Sequence, residues 1–464
     1  MKYAVNKAKR IYDVLIKRIV GIMAGIIIFV GISQFLDRMY VSCSDYTDYW
    51  YPVLWQQFYE NEGKIDHLFL GSSHVYCDID PQIMDQLTGV NNFNLASPSQ
   101  TMNGSYYLLR EADQRNQLSH VYLELYYFCN QEDLQLTDYA LNWRNDDYMK
   151  WSLNKAAYML SIGGMDQYIN TLFPYTRYRK YLGDKDYIKK TFQGKKEMDF
   201  YDYQWEREWA DGNGQRLICR KGYCDSTSTF ENRYHFFSQR TGLNETSMGK
   251  VSEKYFRKII EYCRKKEIPI TLYVAPINDL ELISTQGYDN YVTELRELAA
   301  EYDLPVYDFN LTKEEYYPIQ NDSYFRDTGH LNRDGSKLFT QFFYQVVRGE
   351  EADHTKYFYD SYDEKLQALA PTIYGAYYID YNDAGEQSRK VCVASNRDQG
   401  MEYRILITPD EGEQYMVQDF QENKEFYLPP TEDSICTIVA RMKDDPKNIV
   451  QTMEIYIRGQ KNAV

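Results

Sequence analysis

Three side chains far apart in the chain have the types that acyl-transfer chemistry needs. Ser73 sits in the run Leu70-Gly71-Ser72-Ser73-His74, directly after the short apolar segment IDHLFL and before a helix-compatible stretch. A hydroxyl placed there lies at the carboxyl end of a strand. Backbone N–H groups of the turn and the dipole of the following helix can then help stabilise an oxyanion. Gly71 permits the tight turn. Serine is a poor nucleophile until a base takes its proton, and imidazole does so near neutral pH. The loop SYFRDTGHLNRDG supplies His330 as that base and Asp327, three residues earlier, to orient the ring and stabilise imidazolium. Of the six histidines, only His330 combines a local Asp with a position after a strand. The competing reading is structural, because a serine after a strand commonly caps a helix and a His–Asp pair can close a loop.

These groups have to be positioned by the elements around them. Ile65–Leu70, Asn91–Ala96, His120–Phe128, Ile268–Val274 and Leu304–Phe309 read as five strands. Helical segments alternate with them, from Pro81, over Met102–Gln117, Ser247–Lys266 and Tyr291–Tyr302, and last from Asp334 to about Val347. Such alternation predicts an α/β domain with a parallel sheet covered on both faces, over residues 65–350. Reactive groups in such sheets lie at the carboxyl ends of the strands, where Ser73 and His330 both fall. An insertion over 130–244, rich in Tyr, Trp and charge, interrupts the rhythm with helix-like stretches. It is expected to form a lid, a substrate wall or a helical subdomain without ligand contact. From residue 372 to 464, short alternating runs divided by turn residues suggest a β-sandwich.

The Gly71-Ser72-Ser73 block near the start of the domain and Asp327-x-x-His330 near its end resemble the SGNH/GDSL hydrolase family. The resemblance covers roughly residues 60 to 350 and implies a flavodoxin-like, three-layer α/β fold with Ser73 as nucleophile. It further implies oxyanion donors in the middle of the domain, where this sequence departs from the family. Asn94-Leu95-Ala96-Ser97-Pro98-Ser99-Gln100 lacks the family's glycine, so the expectation falls on the Ser97 backbone N–H or the Gln100 side chain. LELYYFCN stands in place of the family's Gly-x-Asn-Asp, leaving Asn130 as a candidate donor. The Gly-Ser-Ser variant with one N-terminal anchor is similar to a branch that includes proteins of D-alanyl transfer to lipoteichoic acid and of alginate O-acetylation. That likeness implies a multi-spanning membrane O-acyltransferase as partner, an acylated cell-envelope glycan as substrate, and no cofactor or metal.

The anchor is read from the residues themselves. The first 18 residues carry a net charge of +5, six cations against Asp13, while the chain as a whole carries −16. Ile19–Leu36 has no charge, and at about 1.5 Å per residue it spans roughly 27 Å, close to the apolar thickness of a bilayer. A basic flank before it predicts a cytoplasmic tail over 1–18, a transmembrane segment over 19–36 and a stalk over 37–64, with the body extracellular. A cleaved signal sequence competes with this reading, but no A-x-A pattern follows the apolar run. The acidic body argues against nucleic acid and against a polyanionic acceptor. Among eight cysteines, Cys219 with Cys224 and Cys392 with Cys436 are candidate disulfides of an exported chain. His74, His235, Arg177 and Arg179 are weighed as substrate contacts against packing or solvated roles. The expected activity is ester hydrolysis or O-acyl transfer on a cell-envelope polysaccharide. The alternative is a non-catalytic polysaccharide-binding or assembly protein on the same scaffold.

Overall fold

A computed structural model describes residues 2–41, 50–131, 133, 136–164, 167–199, 207–210, 216–231, 235–238, 248–285, 287–318, 321–348, 354–383, 386–428 and 433–458. The chain divides into two compact units, residues 54–142 with 205–464, and residues 1–53 with 143–204.

The first of these is built on strands β1 (His67–Leu70), β2 (Asn92–Asn94), β3 (His120–Glu124), β4 (Ile270–Val274) and β5 (Val306–Asp308). All pair in parallel, in the spatial order β2-β1-β3-β4-β5. This is a doubly wound order whose switch point lies between β1 and β3, at whose carboxyl ends ligands bind in such sheets. Alternation along the strands buries both faces. Leu68, Leu70, Val121, Leu123 and Leu272 point one way and are fully buried. Phe69, Tyr122 and Tyr273 point the other way and meet Phe343 of the helix Arg333–Val347, with ring centroids 6.0, 5.5 and 4.9 Å apart. The helix Met102–Asp113 packs on β1 and on the helix Lys250–Lys266.

The run expected as a strand to Phe128 leaves the sheet after Glu124, and Tyr127–Gln131 turns into a short helix. The insertion differs more. It holds an antiparallel sheet of Arg207–Ala210, Arg216–Arg220 and Tyr223–Ser226, not helices alone. Its hairpin covers the edge of β2, where the Asn94 N–H donates to the Lys221 carbonyl at 3.0 Å. Gly222, at φ +76°, makes this approach possible, since a Cβ there would stand 1.8 Å from the Asn94 oxygen. Arg220–Asp80 and Lys221–Asp85 ion pairs and the Arg333–Asp225 pair at 2.7 Å fasten the hairpin.

Toward the C-terminus, two four-stranded sheets share one apolar core. One contains Met401–Pro409, Tyr415–Gln421, Ser434–Met442 and Ile449–Ile457. The other contains Ile373–Asp383, Glu386–Ser395 and Glu425–Leu428, and takes Phe236–Ser238 from the insertion as a parallel edge strand. Cys392 and Cys436 are free and lie in different sheets. Val391 and Val393 face the shared core, so alternation turns Cys392 away from it, while Cys436 is inside. Cys219 and Cys224 stand opposite each other across the hairpin as buried residues not joined by a disulfide.

In the second unit, one continuous helix, α1 (Lys2–Tyr40), carries the basic tail and the apolar span together. Its stretch Val14–Tyr40 is long and apolar enough to cross a membrane. Helices Leu153–Ser161, Tyr168–Leu172 and Lys185–Asp199 and the 3-10 turn Pro174–Tyr181 complete this unit.

Candidate active site

The turn that carries Ser73 is fixed by a glycine and a carboxylate. Gly71 adopts φ +147°, and a Cβ there would meet the Glu124 Cβ at 2.6 Å and the Val75 Cγ2 at 2.9 Å. Ser72 caps the helix Ser73–Asp78, its Oγ accepting from the His74 N–H at 3.3 Å. Its own N–H donates to Glu124 Oε2 at 2.9 Å. Ser73 is thereby set at the first position of the helix, half-buried, at the carboxyl end of β1.

The loop after β5 brings the other two groups to it. His330 Nε2 is 2.7 Å from Ser73 Oγ, and His330 Nδ1 is 2.9 Å from Asp327 Oδ1. Ionised Asp327 can only accept, so Nδ1 carries the ring proton and Nε2 is left to accept from the serine hydroxyl. The same Oδ1 accepts the Gly329 and His330 backbone N–H groups, each at 2.9 Å. Burial alone would raise the Asp327 carboxyl. The facing imidazole of His330, its hydrogen bonds and nearby Arg326 outweigh that and hold it well below the usual carboxylate range. Asp78, on the nucleophile's own helix, accepts the Leu331 N–H at 3.0 Å and so ties that helix to the histidine loop. Asn278, after β4, donates its backbone N–H to the Thr328 carbonyl at 2.9 Å.

Several contributors escape sequence reasoning. Fully buried Glu281 accepts from Tyr126 Oη at 2.8 Å, Tyr127 Oη at 3.2 Å and Thr328 Oγ1 at 2.7 Å, bracing the catalytic loop from behind. His74, which the sequence does offer as a substrate contact or a packing residue, is buried, bonds Ser72 Oγ through Nδ1 at 2.9 Å and stacks on the His330 ring at 4.9 Å. Glu124 lies under the turn, and burial pushes its carboxyl up to about 7 against the Ser72 and Tyr126 hydrogen bonds. The only signal for it in the sequence is a lone carboxylate inside the apolar run HVYLELYYF.

The expected oxyanion donors are placed unequally. The Ser97 N–H lies beside the turn and donates to the Gly71 carbonyl in a long bond of 3.4 Å. Gln100 is buried and bonds Ser97 Oγ at 3.0 Å through Oε1 and Ser105 Oγ at 3.0 Å through Nε2, so its amide supports the loop. Asn130 is buried in the turn after β3, donating from Nδ2 to the Tyr126 carbonyl at 2.9 Å, while its own carbonyl receives Gly249 N–H at 2.8 Å. It is engaged between helices and not with the triad. His235 bonds the Tyr374 carbonyl at 2.8 Å and pairs with Asp322 at 3.4 Å, joining the insertion to the C-terminal sheets. Arg177 is paired with Asp147 at 2.5 Å, and Arg179 is exposed. No group of three or more candidate metal ligands occurs among the described residues.

The chain matches no model of a known protein family and no curated protein sequence.

Proposed function

We propose that this chain is a membrane-anchored serine O-acyltransferase or esterase of the SGNH type, acting on acyl esters of a cell-envelope polysaccharide. The observation that carries the reading is the chain of hydrogen bonds Ser73–His330–Asp327, with the serine half-buried at a helix start. The Ser73 Oγ–acyl carbon bond forms as the hydroxyl proton passes to His330 Nε2. The tetrahedral intermediate collapses, and the leaving alcohol takes that proton. A sugar hydroxyl or water then repeats the sequence in reverse on the acyl-enzyme. Asp327 keeps the ring in the required tautomer and stabilises imidazolium. The Ser97 N–H is aimed near the turn, and its long bond to Gly71 is one that an oxyanion can displace. The N-terminal helix supports anchoring. By the family resemblance, a multi-spanning O-acyltransferase delivers the acyl group and the body faces outward.

A second reading, a non-catalytic polysaccharide-binding or assembly protein, is favoured by one observation. Two of the three oxyanion donors expected from the sequence, Gln100 and Asn130, have their side chains committed to internal bonds. The deciding test is labelling of the full chain in detergent by a fluorophosphonate, with Ser73→Ala and His330→Ala alongside. Labelling of the parent that both variants lose supports the enzyme. A folded parent that stays unlabelled would move the assignment to the binding protein.

A further inference from the structure

The unit formed by residues 1–53 and 143–204 presents large apolar side chains outward while burying several polar ones. On the helix Leu153–Ser161, Leu153 and Leu160 are 91% and 60% exposed, while Asn154 and Lys155 are buried. On Tyr168–Leu172, Ile169 is 62% exposed and Leu172 shares its face, while Thr171 is fully buried. The interior these helices enclose holds polar groups beside the buried Tyr158, Met159 and Ile162. Lys155 Nζ donates to the Met149 carbonyl at 3.0 Å, Trp143 Nε1 to Thr171 Oγ1 at 2.9 Å, and Arg177 pairs with Asp147 beneath the Trp143 ring. Helices facing water bury their apolar stripe. One with its apolar residues outward and its polar residues inward is matched to an apolar surrounding.

The level of this face follows from its contact with α1. Phe173, directly after Leu172, packs edge-on against Phe29 with ring centroids 5.3 Å apart. Phe29 lies inside the apolar span, seven residues before Leu36, or about 10 Å along the helix axis. Higher on the same helix, the Tyr175 N–H donates to Asp37 Oδ1 at 2.9 Å and Tyr187 Oη to the Tyr40 carbonyl at 3.1 Å. The segment is therefore clamped around the emerging end of the span, with its lower edge below that end. Exposed Trp151 and Leu182 stand next to exposed cations, Lys150 in one case and Arg179 and Lys180 in the other. Aromatic rings with flanking cations suit the level of lipid phosphates.

We infer that the helices Leu153–Ser161 and Tyr168–Leu172 are embedded in the outer part of the lipid leaflet from which α1 emerges, with Leu153, Leu160, Ile169 and Leu172 against acyl chains. This rests on the reading of α1 as a membrane span. It gives the body a second, interfacial attachment beside the span.

The test places a photoreactive benzoylphenylalanine singly at Ile28, Leu160, Ile169 and Tyr427 of the full chain, reconstituted in vesicles of phosphatidylcholine and phosphatidylglycerol. Tyr427 is an exposed residue of the C-terminal sheets and serves as the control. Lipid adducts at Leu160 and Ile169 about tenfold above Tyr427, with Ile28 also labelled, are expected. Adducts at Ile28 without any at Leu160 and Ile169 leave the anchor standing and overturn the embedding. Adducts with a second protein chain at Leu160 or Ile169 assign the face to self-association and also overturn it. No lipid adduct at Ile28 removes the span, and the inference falls with it.

Discussion

Glu124 shows how one side chain can couple the nucleophile turn to pH. Its carboxyl holds the Ser72 N–H from beneath, yet burial raises its pKa from 4.5 to about 7. Between those values the folded chain binds a proton that the unfolded chain does not, so stability falls as pH rises through this window. A shift of this size corresponds to on the order of 3 kcal/mol at the alkaline end. Glu124→Gln keeps an acceptor for Ser72 and removes the charge. Denaturant titrations from about pH 5 to about pH 8 are expected to show parent stability declining with pH, and the variant declining less. Asp308, pushed up to about 6, and Asp146, to about 7, have the same sign, so some slope remains. A Glu124→Gln variant whose stability declines as steeply as the parent's would show that Glu124 is not held neutral by burial.

At the scale of elements, the site depends on how closely β1 and β3 approach at their carboxyl ends. Gly71→Ala puts a methyl 2.6 Å from the Glu124 Cβ in a backbone conformation at φ +147° that L side chains rarely adopt. The expected cost is about 2–4 kcal/mol with loss of fluorophosphonate labelling, because Ser73 cannot hold its angle once the turn shifts. Gly89→Ala makes the informative contrast. It too has positive φ, but nothing lies within 4 Å, so a loss of about 1 kcal/mol with labelling retained is expected. Thermal denaturation and labelling of the two variants side by side measure the difference. The strand–helix alternation made these elements legible, since Ser73 after β1 and His330 after β5 follow from local periodicity alone. The edge strand Phe236–Ser238 was not legible, because its partner Ile373–Asp383 lies more than a hundred residues away and a three-residue strand has no period of its own. The committed amides of Gln100 and Asn130 likewise depend on neighbours that no local pattern announces. The insertion was read as one piece for the same reason, although residues 143–204 cluster with α1 and the following hairpin braces β2.

At the scale of the whole molecule, the C-terminal sheets are fastened to the α/β body by a buried charge. Lys365, on the helix Tyr362–Ala368, is fully buried and donates to Asp279 Oδ1 and the Asn310 carbonyl, each at 2.9 Å. Tyr362 Oη adds a bond to the same carboxylate at 3.1 Å. Asp279 opens the helix that carries Glu281, the brace of the catalytic loop. A chain ending near Asp360 would take Lys365 and Tyr362 away from that carboxylate and leave Phe236–Ser238 without its sheet. Loss of activity on truncation would then report a broken core and not a part taken in the reaction by the C-terminal sheets. Point substitutions separate the two. Lys365→Met is expected to cost about 3–5 kcal/mol by leaving a buried charge unpaired, and the double variant Lys365→Met/Asp279→Leu to recover much of it. A thermal-denaturation double-mutant cycle measures both, with fluorophosphonate labelling of the folded single variant as the second readout. If Lys365→Met loses stability but the surviving folded fraction is labelled as the parent is, the C-terminal sheets stabilise the body through this lysine. If instead the single substitution costs nothing, the buried pair is not what joins them, and the connection rests on other contacts, among them the shared strand Phe236–Ser238 and the His235–Tyr374 bond.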